Sequence, residues 1–323
     1  MSVLTISNAT AMAAESAAAN WQTVQAQAAE LGESPFWHPQ EQKLYWLDIT
    51  RRQLLRADAA TGELETWDMP SEPGCMAPAA TGGLVIALRD GVFRARQWGG
   101  LLTRIATLDY DPAQMRANDG KCDALGRLWI GTIDDTRVNG NAALYCLDCR
   151  TGNAVLTRKT DPASLPATTG NGLAWSPDHR TLYWADTASH RVHAWDFDSA
   201  SAAMSAQRVF LQFDAKPADA MAAYAGRPDG AAVDVQGNYY IAMYEGRRLL
   251  KFSPAGVLLA SWPTPAQCPT MPCFGGTDLR TLYLTSARLK RSADELAALP
   301  LSGCVFSMRV SVPGLPVNFF VDR

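Results

Sequence analysis

The sequence predicts an all-β protein, a six-bladed β-propeller, and the main observation is a repeat. Six short apolar runs recur at intervals of 40–57 residues: LYWLDI from Leu44, LVIALR from Leu84, LWIGTI from Leu128, LYWADT from Leu182, YYIAMY from Tyr239 and LYLTSA from Leu282. A second strand-like run often follows after a polar turn, as in RQLLRAD and HRVHAWDF, and a further turn with Gly comes next. Repeats of this length with several strands are typical of propellers. A β-sandwich also has many short strands, but it would not repeat the same three-part unit six times.

Composition places the repeats in one large globular domain. The chain has 323 residues, of which 47% are hydrophobic and 19% are charged, which is enough for a substantial buried core. We expect a lead-in over residues 1–25, as a short helix or a disordered segment, and a single propeller over residues 26–323. The start lacks the basic region and the apolar stretch of a signal peptide.

Several partners and locations are disfavoured by the same numbers. The net charge of -3 argues against a nucleic-acid binder, and no run of 18 apolar residues could span a membrane. Seven cysteines show no regular framework, so we expect reduced thiols in a cytoplasmic protein. A monomer is the default expectation. Cys146 and Cys149 form a C-x-x-C on a predicted strand, where their side chains point to opposite faces. This favours two buried thiols over a metal or redox pair.

Polar residues stand at one equivalent position in four of the repeats. Asp229 lies ten residues before Tyr239 and Asn118 ten before Leu128, while Asn171 and Glu33 lie eleven before their runs. The extra residue fits a longer turn in SPDHRT and HPQEQK. In the other two repeats this register gives Gly74 and either Met271 or Pro272, which offer no side-chain oxygen ligand.

These four side chains are predicted to converge near the axis, because they enter the innermost strand of each blade and that strand lines the channel. Two carboxylates brought together out of water repel each other, and a bound cation removes this cost. Oxygen ligands suit Ca²⁺, Mg²⁺ or Mn²⁺, and Fe²⁺ or Zn²⁺ remain possible. Taken singly, Asn171-Gly172 and Asp229-Gly230 are also common turn dipeptides. Their shared register favours a site.

Five ordered motifs, LGESPFWHP, RANDGKCD, NGLAWSPD, RPDGAAVD and PCFGG, resemble the gluconolactonase, regucalcin (senescence marker protein) and luciferin-regenerating enzyme family. The resemblance runs from about Leu31 to Val310. PCFGG and the ending ADELAALPLSGCVF are most similar to bacterial aldonolactonases of the xylonolactonase type. The resemblance implies a six-bladed propeller with one divalent metal in the channel and hydrolysis of sugar-acid lactones.

The resemblance also implies roles for individual residues. Glu33, Asn171 and Asp229 match the metal ligands, and Asp229 matches the residue proposed as general base. Arg116 and Asn118 match residues that bind the hydroxyls and ring oxygens of the substrate. Some relatives carry a substrate-binding Glu shortly after the LWIGT-like strand, but the register of this chain gives Thr136, with Asp134 and Asp135 beside it.

Competing functions find less support in the sequence. There is no G-x-S-x-G, H-E-x-x-H or G-x-G-x-x-G motif in a suitable context, and the four histidines are interpreted as structural or exposed. A calcium-binding or protein-interaction propeller without turnover is one alternative. Another is a phosphotriesterase or an esterase for hydrophobic lactones on the same scaffold. The polar RAND segment favours a sugar lactone, although the sequence does not identify which sugar or which metal.

Overall fold

The structure is a computed structural model that describes residues 5–13, 19–219 and 223–323. It contains six sheets that follow one another along the chain. The first strands of neighbouring sheets contact each other in a closed ring, so they surround a central axis. The predicted six-bladed β-propeller is therefore confirmed.

The strands and helices follow one another along the chain, beginning with a short segment ahead of the first blade. This segment comprises β1 Thr5–Ile6, the short helix α1 Asn8–Ala13 and β2 Gln22–Gln25. The first blade consists of β3 Gly32–His38, β4 Lys43–Asp48, β5 Gln53–Asp58 and β6 Leu64–Asp68. The second consists of β7 Pro73–Pro78, β8 Leu84–Leu88, β9 Gly91–Ala95 and β10 Thr103–Ala106. The third consists of β11 Met115–Cys122, β12 Leu128–Asp134, β13 Leu144–Asp148 and β14 Val155–Arg158.

The last three blades complete the ring. The fourth blade consists of β15 Gly170–Trp175, β16 Thr181–Asp186, β17 Arg191–Asp198 and β18 Ala203–Phe213, and the fifth consists of β19 Arg227–Val233, β20 Tyr239–Tyr244, β21 Arg248–Phe252 and β22 Leu258–Pro263. The sixth contains β23 Cys268–Gly275, β24 Thr281–Ala287 and β25 Val305–Arg309. Helix α2 Ala293–Ala298 lies between β24 and β25.

The segment before the first blade contributes to two later blades. Strand β2 pairs antiparallel with β25 and is the outer strand of the sixth blade. Strand β1 adds a fifth strand to the fourth blade by pairing in parallel with β18. The expected domain boundary between residues 25 and 26 thus follows immediately, in the sequence, after a strand that belongs to the sixth blade. Strand β2 thus joins a segment that precedes the first blade to the last blade of the ring.

The repeat predicted from the sequence was one strand short. The six apolar runs form the second strands, β4, β8, β12, β16, β20 and β24, and the innermost strands are the segments that precede them. These segments are rich in Gly, Pro, Asn and Asp, so they look like turns. Each second strand lies inside its blade and is buried on both faces of the sheet. This explains the continuous apolar character of these strands.

The two ends of the channel differ. We call the end at which the innermost strands begin the upper face and the opposite end the lower face. Residues 313–323 run across the lower face, where Gly314 bridges Asp234 and Phe320 bridges Ala79. Residues 315–318 cover a cavity of about 120 Å³ inside the channel, lined mostly by apolar side chains from all six innermost strands. The lower mouth is therefore closed by the protein itself.

Burial also bears on the cysteines and on membranes. All seven cysteines are buried and free, so the prediction of two separate thiols at Cys146 and Cys149 is confirmed. None of the helices in the described part of the chain is long and apolar enough to cross a membrane.

Gly74 explains why the second blade offers no ligand at the repeated position. A Cβ atom on Gly74 would lie 2.3 Å from the carbonyl carbon and 2.4 Å from the carbonyl oxygen of Ala117. The backbones of β7 and β11 approach too closely there for any side chain.

We expect Gly74→Ala to lower the free energy of unfolding by about 3 kcal/mol, because the added methyl group meets backbone atoms of the next blade. Gly62→Ala is the control, since Gly62 has a φ of +73° and open space around it. That change should cost only about 1 kcal/mol. Urea unfolding measures both, and an equal loss in the two variants would contradict the close packing.

Candidate active site

The four repeated polar residues lie on four innermost strands: Glu33 on β3, Asn118 on β11, Asn171 on β15 and Asp229 on β19. In every case the pairing with the second strand shifts register at or beside the residue. Such bulges turn a side chain away from the ordinary alternation of a strand. All four residues are at most 8% exposed.

The backbone directly after two of these residues is unusual. Ser34 follows Glu33 with a φ of 49°, and Gly172 follows Asn171 with a φ of 60°. A non-glycine residue in this region is uncommon and often marks a functional position. Ser34 accepts a hydrogen bond at its Oγ from the backbone N–H of Met76, 3.2 Å away. This bond ties the strained turn to the neighbouring blade.

Hydrogen bonds link the third, fourth and fifth blades at this level. Arg116 Nη1 donates to Asn118 Oδ1 at 2.9 Å, and Asn118 Nδ2 donates to Asn171 Oδ1 at 2.8 Å. Asn171 Nδ2 donates in turn to Thr187 Oγ1 at 2.8 Å. Thr187 then donates to the carbonyl oxygen of Pro228, next to Asp229, at 2.7 Å. Arg116, Asn118 and Asn171 are thus in one connected network, which ends at the backbone next to Asp229.

Glu33 and Asp229 bring two acidic groups close together in the channel. Burial raises the pKa of Glu33 well above its ordinary value, and the charges of Asp229 and Asp119 raise it further. Burial likewise raises the pKa of Asp229, again with help from Asp119. The hydrogen bonds offered to these carboxylates come from the backbone N–H groups of Ser34 and Gly230. No side chain in the described ranges donates to either.

Asp119 is a site residue that the sequence reasoning missed. It is 4% exposed, and its Oδ2 accepts the backbone N–H of Leu173 at 2.9 Å. Burial raises its pKa, and Lys121 opposes the shift. Its Oδ1 has no hydrogen-bond partner among the described residues. Its position beside Asn118 in the RAND motif was the available signal.

Arg116 projects into the site from above. It is 8% exposed, and burial lowers the pKa of its guanidinium. Its Nε lies 3.8 Å from Asp135, which also pairs with Arg89 at 2.9 Å. Because Asp135 is engaged by these two arginines, its role is to position Arg116 and not to bind a substrate by itself. Thr136, the residue in the expected register, instead donates to Asp134 at 2.5 Å.

The donor chemistry of this site fits a divalent cation. Glu33, Asp229 and Asn171 supply carboxylate and amide oxygens, and no described side chain donates a hydrogen bond to either acid. Hard cations prefer such ligands, and a cation offsets the repulsion between buried acids. No cluster of three or more His, Cys, Asp or Glu residues that could hold a metal exists in the described part of the chain. The proposed set differs from such a cluster because one of its three members is an amide.

The comparison with known families agrees with this geometry. The profile of the family described as "SMP-30/Gluconolactonase/LRE-like region" matches residues 31–288. The chain belongs to this family. The matched region spans the first five blades and the first strands of the sixth.

Individual relatives extend over nearly the whole chain. This SMP-30/gluconolactonase family member is 39% identical to the 6-deoxy-6-sulfogluconolactonase of Pseudomonas putida, over 90% of this chain and 94% of the relative. It is 33% identical to the regucalcin of Danio rerio, over 89% of this chain and 93% of that protein. The match to a named lactonase supports the predicted class of enzyme.

Among solved structures, the calcium-binding protein regucalcin of Agrobacterium tumefaciens superposes with a TM-score of 0.84. The two chains are 25% identical, and the match covers 94% of this chain and 98% of that one. The predicted family and fold are confirmed. The ligand set Glu33, Asn171 and Asp229 stays a prediction.

In metal-free protein we expect Asp229→Asn to be more stable than the wild type at pH 7, with a Tm at least about 2 °C higher. The change removes one of two repelling buried charges. Folding raises the pKa of Asp229 above its ordinary value of 3.8. The folded chain therefore binds more protons than the unfolded chain above this pH, and wild-type stability falls as the pH rises toward the folded pKa.

The difference between the two proteins should shrink toward pH 4, where Asp229 is protonated in the folded state. Thermal unfolding in chelator at several pH values measures it. Asp178→Asn, in a turn of the lower face, is the control, because hydrogen bonds from Ser176 and Arg180 lower the pKa of Asp178. A less stable metal-free Asp229→Asn at pH 7 would contradict the proposed repulsion.

Proposed function

We propose that this protein hydrolyses lactones of sugar acids to the open-chain acids with the help of one divalent cation. The observation that carries the proposal is the closeness of two buried carboxylates, Glu33 and Asp229, to which no side chain of the described residues donates, beside the Arg116–Asn118–Asn171 network. The lactonase relative supports the reaction class. The calcium-binding relative supports a divalent cation.

The cation is held, in this proposal, by Glu33, Asn171 and Asp229. When bound, it would polarise the lactone carbonyl and stabilise the negative charge that develops on its oxygen. Ca²⁺, Mg²⁺, Mn²⁺, Fe²⁺ and Zn²⁺ are all compatible with oxygen ligands.

Asp229 has the role of general base. Its carboxylate accepts a proton from a water molecule as the water oxygen bonds to the carbonyl carbon. The bond between that carbon and the ring oxygen then breaks, and the proton returns to the ring oxygen as it becomes a hydroxyl group. Ligation to a cation would lower the pKa of Asp229, so its effectiveness as a base would come from its position beside the water molecule more than from its pKa.

Arg116 and Asn118 orient the substrate. Arg116 Nη1 is engaged with Ala117 O and Asn118 Oδ1, while Nη2 makes no hydrogen bond within the described ranges. The guanidinium can therefore offer donors to the hydroxyls or ring oxygens of a sugar without losing its own position. This polar setting favours a sugar lactone over a hydrophobic ester.

The substrate class contains neutral and charged members. The Pseudomonas putida relative is named for a gluconolactone with a sulfo group in place of a hydroxyl.

The seven free, buried thiols support a reducing compartment, so we place the reaction in the cytoplasm. We expect a monomer.

Metal-depleted protein should hydrolyse pentono- and hexonolactones only after one of the five cations is restored. Asp229→Ala is expected to lower kcat at least about 100-fold, because it removes both the base and a cation ligand. Acid release, corrected for spontaneous ring opening, measures the rate. Asp178→Ala is the matched control.

If every cation leaves the background rate unchanged while a cation still binds, the lactonase proposal fails. A cation-binding propeller without turnover then takes its place. If hydrolysis persists fully in chelator, the cation requirement fails instead.

Arg116→Lys tests the positioning role separately. A lysine cannot bond Ala117 O and Asn118 Oδ1 and still present a planar fork to the substrate. We expect kcat/KM to fall at least about tenfold, with cation affinity unchanged. Arg180→Lys, on a turn of the lower face, is the control. An unchanged kcat/KM in Arg116→Lys would remove Arg116 from the substrate site.

A further inference from the structure

Two arginines outside the predicted site lie at the upper face. Arg227 is the first residue of β19, two residues before Asp229. Arg137 lies in the loop between β12 and β13, which is on the same face. Arg137 follows Asp135 by two residues, and Asp135 lies 3.8 Å from Arg116 Nε. Both residues therefore lie at the same end of the channel, on different blades.

Arg227 repeats the placement of Arg116. Each arginine precedes a site residue by two positions on an innermost strand, Arg116 before Asn118 and Arg227 before Asp229. In the other four blades the corresponding residue is not a cation. The two arginines are on β11 and β19, which are separated by the blade of β15. Each lies nearer the upper face than the site residue that follows it on its strand.

The positive charge of Arg227 is only partly compensated. Its Nη2 lies 3.3 Å from Glu245, but Glu245 is also paired with Lys216 at 3.0 Å and Arg291 at 3.2 Å. Although burial raises the pKa of Glu245, these cations bring it below its ordinary value. Arg227 Nε is buried and has no hydrogen-bond partner among the described residues. Tyr244, whose ring centroid is 5.2 Å from the guanidinium carbon, fixes the side chain from one face.

Arg137 is held by its backbone and leaves its side chain available. Its N–H donates to the carbonyl oxygen of Asp134 at 3.0 Å, and its φ is 62°. Asp134 also accepts the N–H groups of Thr136 and Asn139, which fixes the turn. The Arg137 guanidinium has no ion pair within the described ranges. The nearby acid Asp135 is already engaged by Arg89 and Arg116.

We propose that Arg137 and Arg227 select a lactone that carries a second, negatively charged group on the carbon chain away from its carbonyl. The group is a sulfonate, a phosphate or a carboxylate, all of which match a guanidinium with paired oxygens. This inference rests on the proposed lactonase function, since it assigns the substrate class of that site. The carbonyl lies at the carboxylates, and the charged end reaches the two arginines above them.

The direct test compares D-gluconolactone with analogues that carry a sulfonate, a phosphate or a carboxylate at carbon 6. We expect kcat/KM to be at least about tenfold higher for one of the charged lactones. Arg137→Gln and Arg227→Gln should each lower the ratio of charged to neutral kcat/KM by about tenfold. Arg180→Gln, on the lower face, should leave the ratio unchanged. The best of the three charged lactones identifies the group.

A binding measurement separates this inference from the lactonase proposal. Calorimetric titration with gluconate and with its 6-sulfonate, 6-phosphate and 6-carboxylate analogues requires no turnover. We expect a charged acid to bind at least about tenfold more tightly than gluconate, and Arg137→Gln to abolish the difference. Because Arg137 is exposed and has no ion pair within the described ranges, this variant tests the inference even if Arg227→Gln fails to fold.

The outcomes are distinct. Lactone hydrolysis with a charged-to-neutral ratio near one, unchanged in both arginine variants, would overturn the inference and leave the proposed function intact. No hydrolysis of any lactone, together with arginine-dependent binding of a charged acid, would support the anion site and overturn the lactonase. Absence of both would overturn both.

Discussion

Repulsion between Glu33 and Asp229 is the constraint on which the rest of the site depends. The ring of innermost strands brings these two acids into a channel that is closed by the protein at its lower end. There, burial raises both pKa values; the charges of Asp229 and Asp119 raise that of Glu33 further, and the charge of Asp119 raises that of Asp229. Such a pair is stable only when it is protonated or compensated by a cation. Asn171, Asn118 and Arg116 complete this centre with oriented oxygen atoms and donors.

The register of the repeat was the part of the site that the sequence predicted well. Counting back from six apolar runs placed Glu33, Asn118, Asn171 and Asp229 at equivalent positions, and all four lie at bulges of innermost strands. The same count did not reveal that those segments are strands. A strand with a bulge and a polar channel face has neither the alternation nor the apolar run by which strands are recognised.

Other features depend on contacts between distant parts of the chain. In the sequence, nothing but its place in the RAND motif distinguishes Asp119, whereas in the structure its bond to Leu173, 54 residues away, reveals its place in the channel. The pairing of Lys216, Arg227 and Arg291 with one acid, Glu245, joins segments that no local pattern connects. Closure of the sixth blade by β2 likewise joins residues from opposite ends of the chain.

The measurement that tests the central claim most directly is the metal content of purified protein after equilibration with each cation and removal of the excess. The account predicts one tightly bound divalent ion per chain in the wild type. It predicts loss of that ion when Glu33→Gln and Asp229→Asn are combined, while Asp178→Asn retains it. An unchanged metal content in the double variant would show that these two carboxylates are not the cation site.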